Sequence, residues 1–271
     1  MYKISNGIKI FSLTLILLGG IGWGYSYMDS HKTIEQVKEM LMNESSHGSS
    51  HGDQSEHMEK TNEDHHNPQE SSHNDEHAEH VMHQIHNRPY AALYVAAFFF
   101  MMISLGALAF YAIQYASQSG WSPVLFRVMQ AITYYLLPGA LIVLAIAFFA
   151  DKHLFIWMDP DVVAHDKLIQ GKAGWLNKSA FLIRGLIFIG GWSLYRYFSR
   201  KFSLAQDLAN DNKNFKRNFQ ISAGFLVFYI YTESMMSWDW VMSVDPHWFS
   251  TLFGWYVFAS MVVSGITTIE L

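Results

Sequence analysis

Residues 234–265, SMMSWDWVMSVDPHWFSTLFGWYVFASMVVSG, decide how this chain is interpreted. The stretch places Asp239, Asp245 and His247 among tryptophans and then runs directly into an apolar segment. Tryptophan and tyrosine concentrate where hydrocarbon meets lipid headgroups, because their rings are apolar and their N–H or O–H groups need water. Ionisable residues at that depth are costly and mark a path for protons or a polar ligand. The stretch therefore predicts a membrane helix entrance with chemistry at the water boundary. The alternative is an interfacial turn whose acids only cap a helix.

Apolar segments near the length that crosses a bilayer recur along the rest of the chain. They are roughly Ile10–Tyr27, Tyr90–Tyr115, Val124–Ala150, Ser179–Phe198, Phe219–Met236 and Phe249 to the end. Lys3 and Lys9 precede the first segment, and bulky aromatic residues rather than a small-residue cleavage site follow it. An uncleaved signal anchor is therefore expected. The fold class predicted is an all-α integral membrane protein with six transmembrane helices.

Residues 29–87 form a low-complexity segment with thirteen acids, three bases and eleven of the fourteen histidines. It has too little apolar surface to offset chain entropy, so disorder is expected, with weak helical periodicity only at Thr33–Met42. The chain thus divides into an anchor at 1–28, this acidic His-rich segment, and a helical bundle at 88–271. The histidine spacing is irregular, so adventitious metal capture or proton buffering is expected and no dedicated metal site.

Positive charge indicates the orientation. The loop 199–218 holds five lysines and arginines and is therefore expected in the cytoplasm. Counting back through the predicted helices places the amino terminus there as well, in agreement with Lys3 and Lys9. The His-rich segment and the loops at 151–178 and 237–248 then lie on the outer face.

Residue types that the chain lacks exclude several classes of site. Cysteine is absent, so the chain has no disulfide, no CxxCH haem attachment and no cysteine-ligated iron–sulfur cluster. It contains no GxGxxG, P-loop or HExxH motif. The formal charge is −5, and nucleic acid is not an expected partner. Any redox chemistry here must use a diffusible or neighbouring cofactor.

The stretch 233–266 resembles the ActF subunit of bacterial alternative complex III. Four other stretches carry the same resemblance: HQIHNRPYAALYVAAFFFMMISLGALAFYAIQ (83–114), GWSPVLFRVM (120–129), FIWMDPDVVAHDKLI (155–169) and LYRYFSRKFSLAQD (194–207). The resemblance implies a subunit of a quinol:electron-acceptor oxidoreductase in the bacterial inner membrane, with its His-rich segment in the periplasm. It also implies the NrfD-like family of polysulfide-reductase-type membrane subunits, whose antiparallel four-helix bundles meet the quinone pool.

The partners implied by the resemblance are a multihaem cytochrome, an iron–sulfur subunit, an ActC-like membrane subunit and a terminal oxidase. The ligand implied is menaquinol or another quinone. The ActC-like subunit is the better-supported quinol site, which leaves a second quinone site or proton conduction for the ActF-like subunit. Family members continue with more helices, so a second bundle is expected beyond this sequence. Two alternatives stay open: a purely structural assembly subunit, and a divalent-metal transporter with a His-rich loop.

Eight residues are candidates for a quinone site or proton pathway. They are Asp159, His165, Arg184, Tyr229, Glu233, Asp239, Asp245 and His247. A quinol that loses two electrons also releases two protons, so an Asp or His at its hydroxyls supplies a hydrogen bond and a base. A carboxyl at the outer end of the fifth helix, Glu233, is expected to be desolvated and to accept protons. The alternative is an ordinary acid among the headgroups.

Arg184 lies inside the fourth apolar segment and needs a partner, because a guanidinium does not deprotonate. The acids expected to pair with it are Asp159, Asp161 and Glu233, and the alternative is snorkelling to the interface. The stretches FIWMDPD (155–161) and DWVMSVDPHW (239–248) share an Asp-Pro turn, which predicts an extended aspartate and the start of a helix.

Both Asp-Pro loops emerge on the same side. We therefore expect Glu233, Asp239, Asp245 and His247 to form one hydrated cluster, with Arg184, Asp159 or His165 close by. Pairing would lower the desolvation cost of isolated acids. Residues 133–135, before Pro138, are expected either to line a hydrated path or to pack between helices.

Overall fold

The computed structural model describes residues 5–47 and 68–271, and the secondary structure within these ranges is entirely helical. The α-helices are α1 (Asn6–Ser30), α2 (Ile34–His47), α3 (Pro68–Ala116), α4 (Phe126–Ile132), α5 (Leu136–Phe149), α6 (Asp151–Leu154), α7 (Pro160–His165), α8 (Lys167–Lys172), α9 (Lys178–Asp207), α10 (Lys213–Trp240) and α11 (Phe253–Glu270). Short 3-10 turns occupy Ser122–Leu125, Thr133–Tyr135, Ile156–Met158 and Met242–Val244. The predicted all-α fold is confirmed.

Three helical stretches in the described residues are long and apolar enough to cross a membrane. They are Asn6–Ser30, Val81–Ala116 and Ser122–Phe149. All three coincide with predicted membrane segments, which supports a membrane protein. The other three predicted segments correspond to α9, α10 and α11.

The chain divides into two compact units, Met1–Ala91 and Ala92–Leu271. In the first unit the Trp23 indole donates to the backbone carbonyl of Pro89 at 3.1 Å. The rings of Tyr27 and Tyr90 meet edge to face, with centroids 6.3 Å apart. Most apolar side chains of α1 are exposed within this chain. A helix that has no polar face and whose apolar side chains are not buried by the rest of the protein needs an apolar environment.

Two parts of the predicted disordered segment are helical. Helix α2 coincides with the weak periodicity predicted at Thr33–Met42, and residues 68–87 belong to α3. The second part differs from the prediction: a helix already nucleated by an apolar run extends readily through residues such as Gln, Glu and Ala. Residues 48–67 lie outside the described residues, so disorder there stays a prediction, as do the three domain boundaries.

The stretch Ser122–Phe149 is interrupted near Pro138, as predicted. Pro138 has no N–H to donate to the carbonyl of Tyr134, and its ring crowds that carbonyl. The chain accordingly tightens into a 3-10 turn at Thr133–Tyr135, directly before α5 begins. The Thr133 hydroxyl donates to the Gln130 carbonyl at 2.8 Å within this interrupted region.

Helices α9 and α10 form an antiparallel hairpin around an aromatic core. The Trp192 indole donates to the Thr232 hydroxyl at 3.0 Å, and the Tyr195 and Phe225 rings stack with centroids 3.9 Å apart. Residues 208–212 connect the two helices. We call the end of the hairpin with this connection the turn end, and the end where α9 begins and α10 finishes the open end.

Helix α11 packs closely against α10 and α3. A Cβ on Gly254 would lie 3.3 Å from the Ser234 hydroxyl of α10. A Cβ on Gly265 would lie 2.9 Å from the backbone nitrogen of Ala107 in α3. Glycine at these positions therefore lets the three helix backbones approach one another.

Candidate functional site

Three short helices, α6 to α8, build the loop at the open end between α5 and α9. Asp159 caps α7 by accepting a bond from the backbone of Asp161 at 3.0 Å. Asp166 caps α8 by accepting from the backbone of Leu168 at 2.8 Å and of Ile169 at 3.2 Å. Side-chain caps of this kind satisfy backbone donors that a short helix leaves free. They fix the positions of Lys172 and of the residues that follow α8.

The two Asp-Pro turns share their local geometry. A 3-10 turn precedes each one, and Asp159 and Asp245 are both extended, with ψ of 116° and 94°. Each carboxylate accepts a bond from the backbone two residues on, at 3.0 Å and 3.1 Å. The predicted extended aspartate is confirmed in both turns. The expected helix start is confirmed for Pro160 only, because no helix begins after Pro246 until Phe253.

Asp239 and Arg184 form a buried ion pair at the open end. Arg184 Nε lies 2.5 Å from Asp239 Oδ2, and Nη2 lies 3.1 Å from Oδ1. The Trp175 indole donates to Oδ1 at 2.7 Å, and the guanidinium lies over its ring at 4.3 Å. The Asp239 side chain is 0 % exposed and that of Arg184 is 15 % exposed. Two-pronged pairing with an added indole donor satisfies both carboxylate oxygens.

None of the three acids predicted to pair with Arg184 does so, although the predicted cluster places Arg184 close to Asp239. Asp159, Asp161 and Glu233 were expected, and the structure provides Asp239 instead. The reason is the length of α10, which continues to Trp240 and carries Asp239 on its last turn. The alternative of snorkelling is excluded as well, because the guanidinium is held by a carboxylate, an indole and the Trp175 carbonyl at 3.1 Å.

Asp245, His247 and Asp166 form a separate, exposed group. His247 Nε2 lies 2.6 Å from Asp166 Oδ2, and its Nδ1 lies 3.8 Å from Asp245 Oδ1. The pKa of the Asp166 carboxyl lies below its ordinary value. The main cause is the hydrogen bond from the Ile169 backbone, and the His247 contact lowers the pKa further, whereas partial desolvation raises it. This contact ties α8 to the segment after α10.

Glu233 and Tyr229 lie apart from both groups. The Glu233 side chain is buried, and its Oε1 has no hydrogen-bond partner among the described residues. Its Oε2 lies 3.5 Å from the Ser234 hydroxyl, and the Tyr229 hydroxyl donates to Met261 Sδ at 3.5 Å. Both acidic residues of α10 are therefore buried, but only Asp239 is paired.

The predicted cluster is confirmed only where Arg184 lies beside Asp239; no hydrogen bond or ion pair within the described residues joins Glu233, Asp239 and the Asp245–His247 pair to one another. Glu233 and Asp239 are six residues apart on α10, which turns their side chains roughly 120° away from each other. Asp159 and His165 are engaged within their own loop: Asp159 caps α7, and His165 Nδ1 lies 2.8 Å from the Asp161 carbonyl. Among the described residues, no group of three His, Asp or Glu side chains could hold a metal ion.

A cleft of about 490 Å³ opens beside the buried ion pair. Its walls are mostly aromatic or apolar and come from the α8–α9 connection and from the stretch between α10 and α11. The lining residues are Gly171, Lys172, Gly174, Trp175, Leu176, Trp238, Met242, Ser243, Pro246, Trp248 and Phe249. Trp248 and Phe249 are largely exposed and form its rim. A volume in this range accommodates a small organic ligand.

Three polar groups of the cleft are described by their hydrogen bonds. Two of them donate to backbone carbonyls, and the third has an N–H group without an acceptor. Lys172 Nζ donates to the Pro246 carbonyl at 2.5 Å, which leaves two of its three N–H groups for a ligand. The Ser243 hydroxyl donates to the Asp239 carbonyl. The Trp238 Nε1 is buried and has no acceptor in the described part of the chain. The cleft therefore offers hydrogen-bond donors to an acceptor oxygen.

A buried polar network at the turn end was not predicted. The Tyr111 hydroxyl accepts bonds from the Gln130 amide at 3.0 Å and the Asn218 amide at 3.2 Å, and it lies 3.1 Å from the Ser199 hydroxyl, which donates to Asn218 Oδ1 at 2.7 Å. Thr133 accepts from Arg196 Nε at 3.2 Å and belongs to the same region. Tyr134 and Tyr135 face outward, so of residues 133–135 only Thr133 joins it. Each helix contributes one or two polar residues, too few for a recognisable spacing.

Comparison with known proteins does not identify the chain. No protein-family profile matches it. No protein of curated function is similar to it at a significant level.

Proposed function

We propose that this protein is a membrane subunit of a respiratory quinol:electron-acceptor oxidoreductase of the alternative complex III type, and that its open-end cleft binds the quinone ring. The observation that carries the proposal is the cleft itself. It is aromatic, it has a single ammonium group, and a buried ion pair supports one of its walls.

Six spans are proposed, in an NrfD-like bundle with an N-terminal anchor in the bacterial inner membrane. Besides the three apolar stretches, the other proposed spans are α11 with 18 residues, α9 with 30 and α10 with 28; α9 and α10 are roughly 45 Å and 42 Å long. Both exceed the hydrocarbon thickness of about 30 Å. The basic loop at the turn end indicates the cytoplasmic side. The open end and its cleft then face the periplasm.

The cleft suits a quinone because a flat aromatic ring with two oxygens needs apolar walls and few polar groups. Trp175 and Trp238 provide flat surfaces against which such a ring packs. Lys172 donates to one quinone oxygen and stabilises it when that oxygen has lost its proton. The exposed rim at Trp248 and Phe249 provides the entrance.

Asp239 acts on this site through Trp175. Both of its oxygens are already occupied by Arg184 and by the Trp175 indole, and its side chain is not exposed. It therefore cannot accept a proton from a ligand in the cleft without losing the ion pair. Its role is to hold the Trp175 ring as a fixed wall, which makes it a positioning residue.

Photolabelling with an azido-quinone tests the site. Lys172→Gln removes the ammonium, and Lys167→Gln is the matched control, since Lys167 lies on the same short helix and does not line the cleft. We expect quinone labelling of the assembled complex to weaken about tenfold in K172Q, the lower range for losing a charged hydrogen bond, and to stay unchanged in K167Q. Equal labelling in both variants would contradict the proposed site.

Co-purification tests the complex. Affinity purification of the full chain should recover multihaem and iron–sulfur subunits together with an ActC-like membrane subunit. Recovery of these partners without any labelling of this chain would favour the purely structural role. Recovery of none of them would refute the assignment to this class of oxidoreductase.

A further inference from the structure

Arg196 and Arg200 lie one turn apart on α9, at the turn end. They are twelve and sixteen residues beyond Arg184, so Arg196 is roughly 18 Å along the helix from Arg184. Residues four apart on a helix share a face, so their charges add. Within the described part of the chain, neither arginine forms an ion pair, whereas Arg127 nearby is paired with Asp207.

The Arg196 guanidinium is only partly satisfied. Its Nε donates to the Thr133 hydroxyl at 3.2 Å, and its carbon lies 4.8 Å from the centre of the Tyr134 ring. Its Nη2 is buried and has no hydrogen-bond partner among the described residues. A buried guanidinium donor without an acceptor is costly, because it has lost its water.

A void of about 10 Å³ adjoins this group. Both arginines line it, together with Tyr111, Gln130, Thr133 and Ser199. Such a volume holds one oxygen atom with its hydrogens and nothing larger. Arg200, which lines the void, is itself exposed at the surface. The exposed rings of Tyr134 and Tyr197 are typical of the headgroup level of a membrane.

We propose that Arg196 and Arg200 bind the phosphate of an anionic phospholipid, with one phosphate oxygen in the void against Arg196 Nη2. Arginine matches phosphate because its planar fork donates two parallel hydrogen bonds. A water molecule in the void would satisfy Nη2 but would leave two like charges one turn apart without a counter-ion. A phosphodiester supplies the acceptor and neutralises charge at once. The site is separate from the quinone cleft and does not depend on it.

Thermal unfolding of the full chain in detergent tests the site. The unfolding midpoint is measured against added phosphatidylglycerol, against phosphatidylcholine and against inorganic phosphate. The variants are Arg200→Gln, Arg196→Gln and the control Arg217→Gln, an exposed arginine at the same end with no ion pair in the described structure. We expect phosphatidylglycerol, and not phosphatidylcholine, to raise the midpoint in the unaltered protein and in R217Q.

The concentration of phosphatidylglycerol needed should rise roughly fivefold for each of the two arginines removed. Without lipid, R200Q should be at least as stable as the unaltered protein, because it relieves repulsion. Even if R196Q does not fold, the comparison of R200Q with R217Q in phosphatidylglycerol still tests the site. An equal response of R200Q and R217Q overturns the site. If inorganic phosphate raises the unfolding midpoint as much as phosphatidylglycerol does, the proposed lipid ligand is refuted and the site binds free phosphate.

Discussion

Replacing Asp239 by asparagine should destabilise the protein more than any exposed charge replacement. The change keeps the size of the side chain and removes its charge, which leaves the Arg184 guanidinium without a counter-ion at 15 % exposure. Breaking a buried pair from one side costs about 3–5 kcal/mol, because the remaining charge stays desolvated. For a chain of this size, that energy lowers the unfolding midpoint by roughly 6 to 20 °C.

The assay is tryptophan fluorescence during heating of the detergent-solubilised chain, since Trp175 contacts both members of the pair. Asp211→Asn is the matched control, because Asp211 pairs with Lys213 at 3.2 Å on the surface. An exposed pair of this kind contributes about 0–1 kcal/mol. A double variant, Arg184→Met with Asp239→Leu, should recover much of the lost stability. If D239N and D211N unfold at the same temperature, the argument that the ion pair supports the cleft wall is refuted.

Three further predictions concern the helix contacts around the site. The protection of the α8 amides, measured relative to their intrinsic exchange rates, should fall as the pH drops below about 4. A carboxyl whose pKa is lowered in the folded state stabilises that state above its ordinary pKa and loses this contribution on protonation. Asp166→Asn keeps a capping oxygen but loses the charge that faces His247, so its α8 protection should be lower than that of the unaltered protein at neutral pH and should no longer fall below about pH 4. Gly265→Ala should destabilise by about 1–3 kcal/mol, measured as a lower unfolding midpoint, because its Cβ would lie 2.9 Å from the Ala107 nitrogen. Tyr94→Phe should cost about 1 kcal/mol in the same assay, since it removes the 2.7 Å hydrogen bond to the Trp240 carbonyl.

The helical fold could be predicted from apolar segment length, and the interruption near Pro138 from the chemistry of proline. The end of α10 could not. Its sequence, SMMSWDW, has no stop signal before Val241, so assigning Asp239 to a loop depended on its polarity alone. Asp239 is stable on the last turn of α10 because Arg184 pairs with it, and Arg184 belongs to another helix, α9.

The candidate site could be predicted in part. Asp239 and Arg184 were both recognised as unusual from their charge in an apolar setting, but their pairing is a long-range contact that local patterns do not contain. The tryptophans near Asp245 indicate an aromatic site from the sequence alone. Nothing in the sequence indicates that Lys172 belongs to it. Lysine in a loop is ordinary, and only the cap at Asp166 and the bond to Pro246 place it in the cleft.

Helix α9 carries Arg184, which is paired with Asp239, in its first half, and Arg196 and Arg200, which have no carboxylate partner among the described residues, in its second half. In the proposed orientation, Arg196 and Arg200 lie on the electrically negative side of an energised membrane, while the Arg184–Asp239 pair has no net charge. Carrying one elementary charge across costs about 2.3 kcal/mol per 100 mV. The phosphate proposed for Arg196 and Arg200 belongs to a lipid of the same leaflet and does not cross with the helix. The two guanidiniums therefore add roughly 5 kcal/mol of electrical work per 100 mV against inverting this helix. The membrane potential, and not packing alone, then favours the direction in which the hairpin is inserted.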